Sequence, residues 1–199
     1  RGDHAKMRSI YAARPETRRM GAGMAVRALR KDGSECDVEV SLSRIETDDG
    51  LFFASAMRDI TDRLTADEEI RKLAYFDQLT GLPNRTLLLD RMKQAIAGSS
   101  RTNTFSALLF IDLDHFKTLN DTLGHDTGDL QLKQAAARLT ACVRESDTLA
   151  RVGGDEFAVI LIGLGNDEIE AAADTEAVAA KILDVLCQPY LLGDLSHSS

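Results

Sequence analysis

Gly153-Gly154-Asp155-Glu156-Phe157 stands between two apolar runs, Leu149, Ala150 and Val152 on one side and Ala158 to Ile162 on the other. The pattern predicts a β-hairpin with acids at its tip, since Gly-Gly is a preferred pair where a tight turn needs positive φ and a missing Cβ removes the clash. Two carboxylates beside bare backbone repel one another unless a cation neutralises them, which points to a hard divalent metal carrying an anionic substrate. An ordinary surface hairpin is the competing reading of this motif alone.

A second acidic site lies upstream. Phe105 to Leu113 is nearly continuously apolar, predicts a buried strand, and ends in Asp112-Leu113-Asp114. Side chains two apart on a strand share a face, so Asp112 and Asp114 are expected together, with Asp112 within metal-bridging reach of Asp155 if the strand ends adjoin. A regular strand would turn Glu156 the other way from Asp155. With no His or Cys in the cluster, oxygen donors favour Mg²⁺ over Zn²⁺.

From Asp77 onward the chain resembles a GGDEF domain of the diguanylate cyclase family. The resemblance rests on Asp77-Gln-Leu-Thr-Gly-Leu-Pro-Asn-Arg85, Asp112-Leu-Asp-His-Phe-Lys117, Asn120, Gly124-His125, Gly128-Asp129 and Arg151-Val-Gly-Gly-Asp-Glu-Phe157. It implies an α+β fold with a central, mostly antiparallel sheet flanked by helices, as in nucleotide cyclases and polymerase palms. It also implies the joining of two GTP molecules into cyclic di-GMP with release of pyrophosphate, by a homodimer, with Mg²⁺ or Mn²⁺ as cofactor. Asp112, Asp155 and the Leu113 carbonyl would be metal ligands, and Asp155 would also activate the attacking hydroxyl. Asn120 and Asp129 would read guanine, with His125 in the turn between them and Lys117 meeting phosphate oxygens. The role of Glu156 stays open, and His115 matches no family role.

Guanine offers adjacent N1 and N2 donors that one carboxylate accepts together, and polar pairing of this kind rejects mismatched bases by factors of about 10⁴. Other readings of these residues are plain: Asn120 and Asp129 as helix caps, Asp129 as the N-cap of the run Leu130 to Val143, and Lys117 as a solvated surface lysine. Arg144-Glu-Ser-Asp147, expected to end the helix before the hairpin, occupies the position of the family's RxxD product-inhibition site. It also reads as an exposed ion pair worth about 0.5 kcal/mol.

Residues 24 to 60 contain three strand candidates, Met24 to Arg30, Cys36 to Ile45 and Leu51 to Met57, separated by Lys31-Asp-Gly-Ser34 and Asp48-Asp-Gly50. The stretch from Arg30 to Arg63 resembles the C-terminal half of a PAS domain. The expected organisation is a partial PAS sensory module over residues 1–60, a signalling linker helix over 61–76 and a GGDEF domain over 77–199, with further elements of both modules outside these residues. In the linker, Ile60, Leu64, Ile70, Leu73 and Ala74 form an imperfect apolar stripe and Glu68 and Lys72 an i,i+4 pair; two copies could pair as a coiled coil, and a solvated single helix is the alternative. Asn84 is expected to cap a helix running to Ala97 and stopped by Gly98, and Asn166 to Leu186 to form a long helix.

With 199 residues, 44% of them hydrophobic, the chain has room for one full domain and a partial one. A net charge of −8 argues against a DNA or RNA polymer as partner but not against nucleotides held through metal. Three scattered cysteines without a CxxC pair fit a reducing cytoplasm. The longest apolar stretch, Phe157 to Leu164, is too short to span a bilayer, which leaves a membrane anchor upstream of Arg1 compatible with the chain. Two further readings stand beside the cyclase: a catalytically silent GTP- or cyclic di-GMP-binding regulator of a following phosphodiesterase domain, and a PAS-driven sensory or dimerisation module without catalysis.

Overall fold

The structure, a computed structural model, describes residues 18–20, 26–192 and 195–197. The chain divides into two compact units, Arg1–Ile70 and Arg71–Ser199.

The first unit is an antiparallel sheet built around one long strand. β3 (Glu35–Thr47) pairs along one edge with β1 (Arg18–Met20) and β2 (Val26–Leu29), and along the other with β4 (Gly50–Asp59). The Gly-containing turns sit where expected; Gly33 at φ +85° and Gly50 at φ +129° occupy conformations that a Cβ disfavours. β1 was not foreseen, and Met24 and Ala25 of the first strand candidate lie outside the described residues. Cys36 and Val38 are buried, whereas β4 is exposed along its whole length. Asp59 accepts hydrogen bonds at the start of α1 (Thr61–Tyr75), from the Thr61 backbone N–H at 2.9 Å, and pairs with Arg30. Those bonds from Thr61, with the Arg30 guanidinium, lower the Asp59 carboxyl to about 2. The i,i+4 pair on α1 is Arg63–Asp67 at 3.8 Å rather than Glu68–Lys72.

The second unit is α+β. A three-stranded antiparallel sheet has the order β5-β7-β6, formed by Ala107–Asp112, Glu156–Leu161 and Thr148–Gly153, and a separate ribbon pairs β8 (Tyr190–Leu192) with β9 (Leu195–His197). Around the sheet run α2 (Arg85–Thr102), α3 (Phe116–Leu123), α4 (His125–Thr140) and α5 (Glu168–Leu186). On one face Leu109, Ile111, Phe157, Val159 and Leu161 pack with Leu132, Ala135 and Leu139 of α4 and Ile182 and Leu186 of α5. On the other, Ala150, Ala158 and Ile160 meet Leu88, Met92 and Ala95 of α2.

Because α2 packs mainly over β6 and β7, β5 is covered well on one face and poorly on the other. Leu108 and Phe110 are 43% and 67% exposed, so the expectation of a fully buried strand is corrected to an alternating edge strand. Asn84 caps α2 as expected, its side chain accepting from the Thr86 and Leu87 N–H groups. The helix then runs through Gly98 and stops at Asn103, whose left-handed φ of +52° closes it with a bond to the Ser99 carbonyl. A single interior glycine costs about 1 kcal/mol, too little to end a helix already packed on a sheet.

Candidate active site at the hairpin tip

The hairpin forms with a local irregularity that sets its chemistry. Arg151 pairs with Phe157 and Gly153 with Glu156, so one extra residue bulges out of β6 at Val152. The turn residues are therefore Gly154 and Asp155, and only Gly154, at φ +51°, uses the left-handed region. Gly153 has ordinary backbone geometry, and a Cβ there would meet nothing within 4 Å. Among the described residues nothing requires glycine at 153, and a side chain there would point into open space.

At the end of β5, Asp112 pairs directly with Glu156. Opposed residues of an antiparallel ladder project to the same face, so Glu156, whose role the sequence left open, shares the face of Asp112. Asp155 lies in the turn, where strand alternation does not apply, and is joined in sequence to the residue opposite Asp112. Asp114 also falls in a turn, past the strand end, so the shared-face argument for Asp112 and Asp114 fails for want of a strand. Leu113 is buried in the core, and its carbonyl accepts a long 3.4 Å bond from the Phe116 N–H. Among the described residues no three acidic, His or Cys side chains form a preassembled cluster. Two carboxylates and a carbonyl nevertheless suit Mg²⁺, which keeps several waters and takes its remaining ligands from substrate phosphates.

A second element adjoins. α3 and α4 pack together with Gly124, at φ +86°, between them. Asp129 lies inside α4, four residues beyond His125 at its start, which removes the N-cap reading. Asn120 projects against Gly128: a Cβ at 128 would fall 2.0 Å from Asn120 Oδ1, so glycine here makes room for that amide. Oδ1 is buried and meets no donor among the described residues. Lys117 is exposed on the first turn of α3, and His115 is exposed at φ +59° just before it.

The Arg144–Asp147 segment does not end a helix. α4 stops at Thr140, where the Ala141 and Cys142 N–H groups close it, and residues 144–147 form a separate turn. Nor is it an ion pair: Asp147 Oδ2 accepts from the Arg144 backbone N–H at 3.0 Å and Oδ1 from that of Ile162 at 3.3 Å. Arg144 lines two adjoining clefts, one of about 560 Å³ with Arg91 and Ser146, the other of about 360 Å³ with Asp147, Asp174 and Lys181.

One constellation carried no role in the sequence reading. Arg151 donates from Nη1 to both Asp77 oxygens, at 3.0 and 3.1 Å, and from Nε and Nη2 to the Gly154 carbonyl, at 2.9 and 2.6 Å. Asp77 Oδ1 also accepts from the N–H and hydroxyl of Thr80. Burial pushes the Asp77 carboxyl up, but the Thr80 bonds and Arg151 outweigh it and hold the group below its usual range. The local signal was present, since an Asp three residues before a Thr invites this side-chain-to-backbone closure, but its partner is 74 residues away.

The family model "Diguanylate cyclase, GGDEF domain" matches residues 74–196. The chain is 42% identical over 153 residues to the bifunctional diguanylate cyclase/cyclic di-GMP phosphodiesterase MucR of Pseudomonas aeruginosa, covering 77% of this chain and 20% of MucR. It thus spans about a fifth of the length of that relative. Among solved structures, the GGDEF domain of TpbB (YfiN) from Pseudomonas aeruginosa superposes with a TM-score of 0.58 at 40% identity, over 62% of this chain and 70% of that one. The coiled coil and GGDEF domain of DgcB from Caulobacter crescentus, in complex with c-di-GMP, gives 0.58 at 29% identity, over 69% and 70%. With the acidic hairpin, the flanking helices and the sheet order in place, the chain belongs to the diguanylate cyclase GGDEF-domain family.

Proposed function

We propose that these residues carry a diguanylate cyclase active site. In the reaction, the ribose 3′-hydroxyl of each of two GTP molecules displaces pyrophosphate from the α-phosphate of the other, giving cyclic di-GMP and two pyrophosphates. The observation that carries this reading is the opposition of Asp112 and Glu156 next to Asp155, at a tip where no described residue packs against Gly153. Asp112, Asp155 and the Leu113 carbonyl would hold Mg²⁺ or Mn²⁺. When bound, such an ion screens phosphate charge and makes the attacking hydroxyl more acidic. Asp155 orients and deprotonates that hydroxyl, and Lys117 meets phosphate oxygens as a point charge.

Guanine recognition falls to Asn120 and Asp129, with His125 beside them. The Oδ1 of Asn120, buried and without a donor among the described residues, supports this, because an unpaired acceptor in such a position is costly until a ligand donor reaches it. Each copy binds one GTP, so two must face each other. The exposed Leu64, Ile70 and Leu73 on α1 supply an apolar stripe for pairing. Arg144 and Asp147 are assigned to product inhibition, and the sheet of the first unit to sensory control in the manner of a PAS domain. No helix among the described residues is long and apolar enough to cross a membrane.

The test is incubation of the full-length protein with GTP and Mg²⁺, with Asp155→Ala as control. Cyclic di-GMP from the wild type alone supports the cyclase. GTP binding without product supports a regulator of a phosphodiesterase domain, a reading favoured by the two activities named for MucR. Neither binding nor product supports an interaction module.

A further inference from the structure

We propose that Asp77 and Arg151 are positioning residues for Asp155, tying the acidic tip to the joint that follows α1. The inference rests on the cyclase reading for its effect on rate, but its geometry stands apart from it. The Gly154 carbonyl and the Asp155 N–H belong to one rigid peptide plane, so whatever holds that oxygen sets the plane from which the Asp155 side chain departs. Glycine at φ +51° leaves this plane free to rotate unless something outside the turn restrains it. Arg151 supplies the restraint with two donors on one oxygen.

The guanidinium is itself held. Its remaining edge is clamped by both oxygens of Asp77, in a pair only 12% and 23% exposed, where water competes poorly. Asp77 is in turn locked into a closed loop: its N–H donates to the Leu82 carbonyl, its carbonyl accepts from Gly81, and its carboxylate accepts from Thr80. The same loop grips the last turn of α1, because Asn84 donates from its backbone N–H to the Tyr75 carbonyl and from Nδ2 to that of Ala74. The Arg151 backbone N–H donates to the Pro83 carbonyl and closes the circuit. An unbroken chain of hydrogen bonds therefore runs from the end of the linker helix to the peptide before Asp155, and a shift of that helix end reaches the tip through Asp77.

Asp77→Asn removes the charge while keeping size. In the full-length protein it is expected to speed hydrogen exchange at the Glu156 amide about tenfold, the size of one charge-assisted hydrogen bond, with exchange at Ala158 to Ile160 unchanged. kcat should fall by a similar factor with KM for GTP within about twofold, since only the reacting geometry is loosened. Arg151→Lys, whose single ammonium cannot fork between two partners, carries the same readouts should Asp77→Asn fail to fold. Unchanged tip exchange, or exchange rising equally through β7, overturns the assignment by leaving only a structural role. Selective loosening of the tip in a protein whose wild type makes no product supports the positioning and overturns the cyclase reading alone.

Discussion

Asp112 and Glu156 face each other across the last rung of the β5–β7 ladder, two carboxylates on one face of the sheet end. Directly opposed like charges destabilise a sheet by a fraction of a kcal/mol to about 1 kcal/mol. Glu156→Gln is therefore expected to raise metal-free stability by about 0.5 kcal/mol in urea denaturation, with Mg²⁺ narrowing the gap to wild type. Equal stability of the two proteins without metal would show that this rung carries no strain.

Gly128→Ala should separate binding from folding. Alanine is the better helix former by about 1 kcal/mol, yet its Cβ would fall 2.0 Å from Asn120 Oδ1, a flexible side-chain end that can swing aside. Stability is expected to stay within about 1 kcal/mol of wild type while KM for GTP rises at least tenfold, the scale set by one lost hydrogen bond to a buried polar partner. An unaltered KM would remove Asn120 from the base site.

The pH dependence of stability follows from Asp77. Its folded carboxyl titrates below the ordinary 3.8, so the unfolded chain binds the proton more tightly. The stabilisation is complete at neutral pH, begins to drain as pH falls toward 3.8, and is gone below the lowered folded value. The Tm difference between wild type and Asp77→Asn, measured from pH 7 down to about pH 3, should shrink accordingly; a constant difference would mean that the carboxylate charge is not what stabilises the loop.

Arg144 is the cation shared by both clefts beside the 144–147 turn, while Asp147 is occupied by backbone N–H groups. Arg144→Ala should raise the cyclic di-GMP concentration needed for half-inhibition at least tenfold, the value of one charge-assisted contact to a phosphate. Asp147→Ala should in addition lower Tm, because it frees two N–H groups from their acceptor. Inhibition of Arg144→Ala at wild-type product concentrations would dismiss this site.

Arg138 fastens the end of α5 to α4. It donates to the carbonyls of Val185, Gln188 and Pro189 and lies 4.0 Å over the Tyr190 ring. Arg138→Met keeps the aliphatic stem and loses the donors, and is expected to cost about 2 kcal/mol in chemical denaturation. A loss under about 0.5 kcal/mol would show that water replaces the guanidinium at little cost.

Features that depend on neighbours in the chain were legible without coordinates. The Asn84 cap, the turns at Gly33 and Gly50, the hairpin around Gly154 and the helix after Asn166 all follow from φ preferences and apolar period, which act over a few residues. The ordered motifs from Asp77 to Phe157 were enough to name the family and the residues offered to metal, base and product.

Tertiary structure decided what depends on register and on coverage. The register of β5 on β7 set which acid stands opposite Asp112, the bulge at Val152 set which residues make the turn, and a one-residue change of register reverses every side chain of a strand. The reach of α2 decided that β5 shows Leu108 and Phe110 to solvent, and packing on the sheet carried that helix past Gly98. The grip of Arg151 on Asp77 and Gly154 joins residues whose separation along the chain gives no periodic signal, so only the folded backbone, by bringing strand β6 against the loop after α1, could create it.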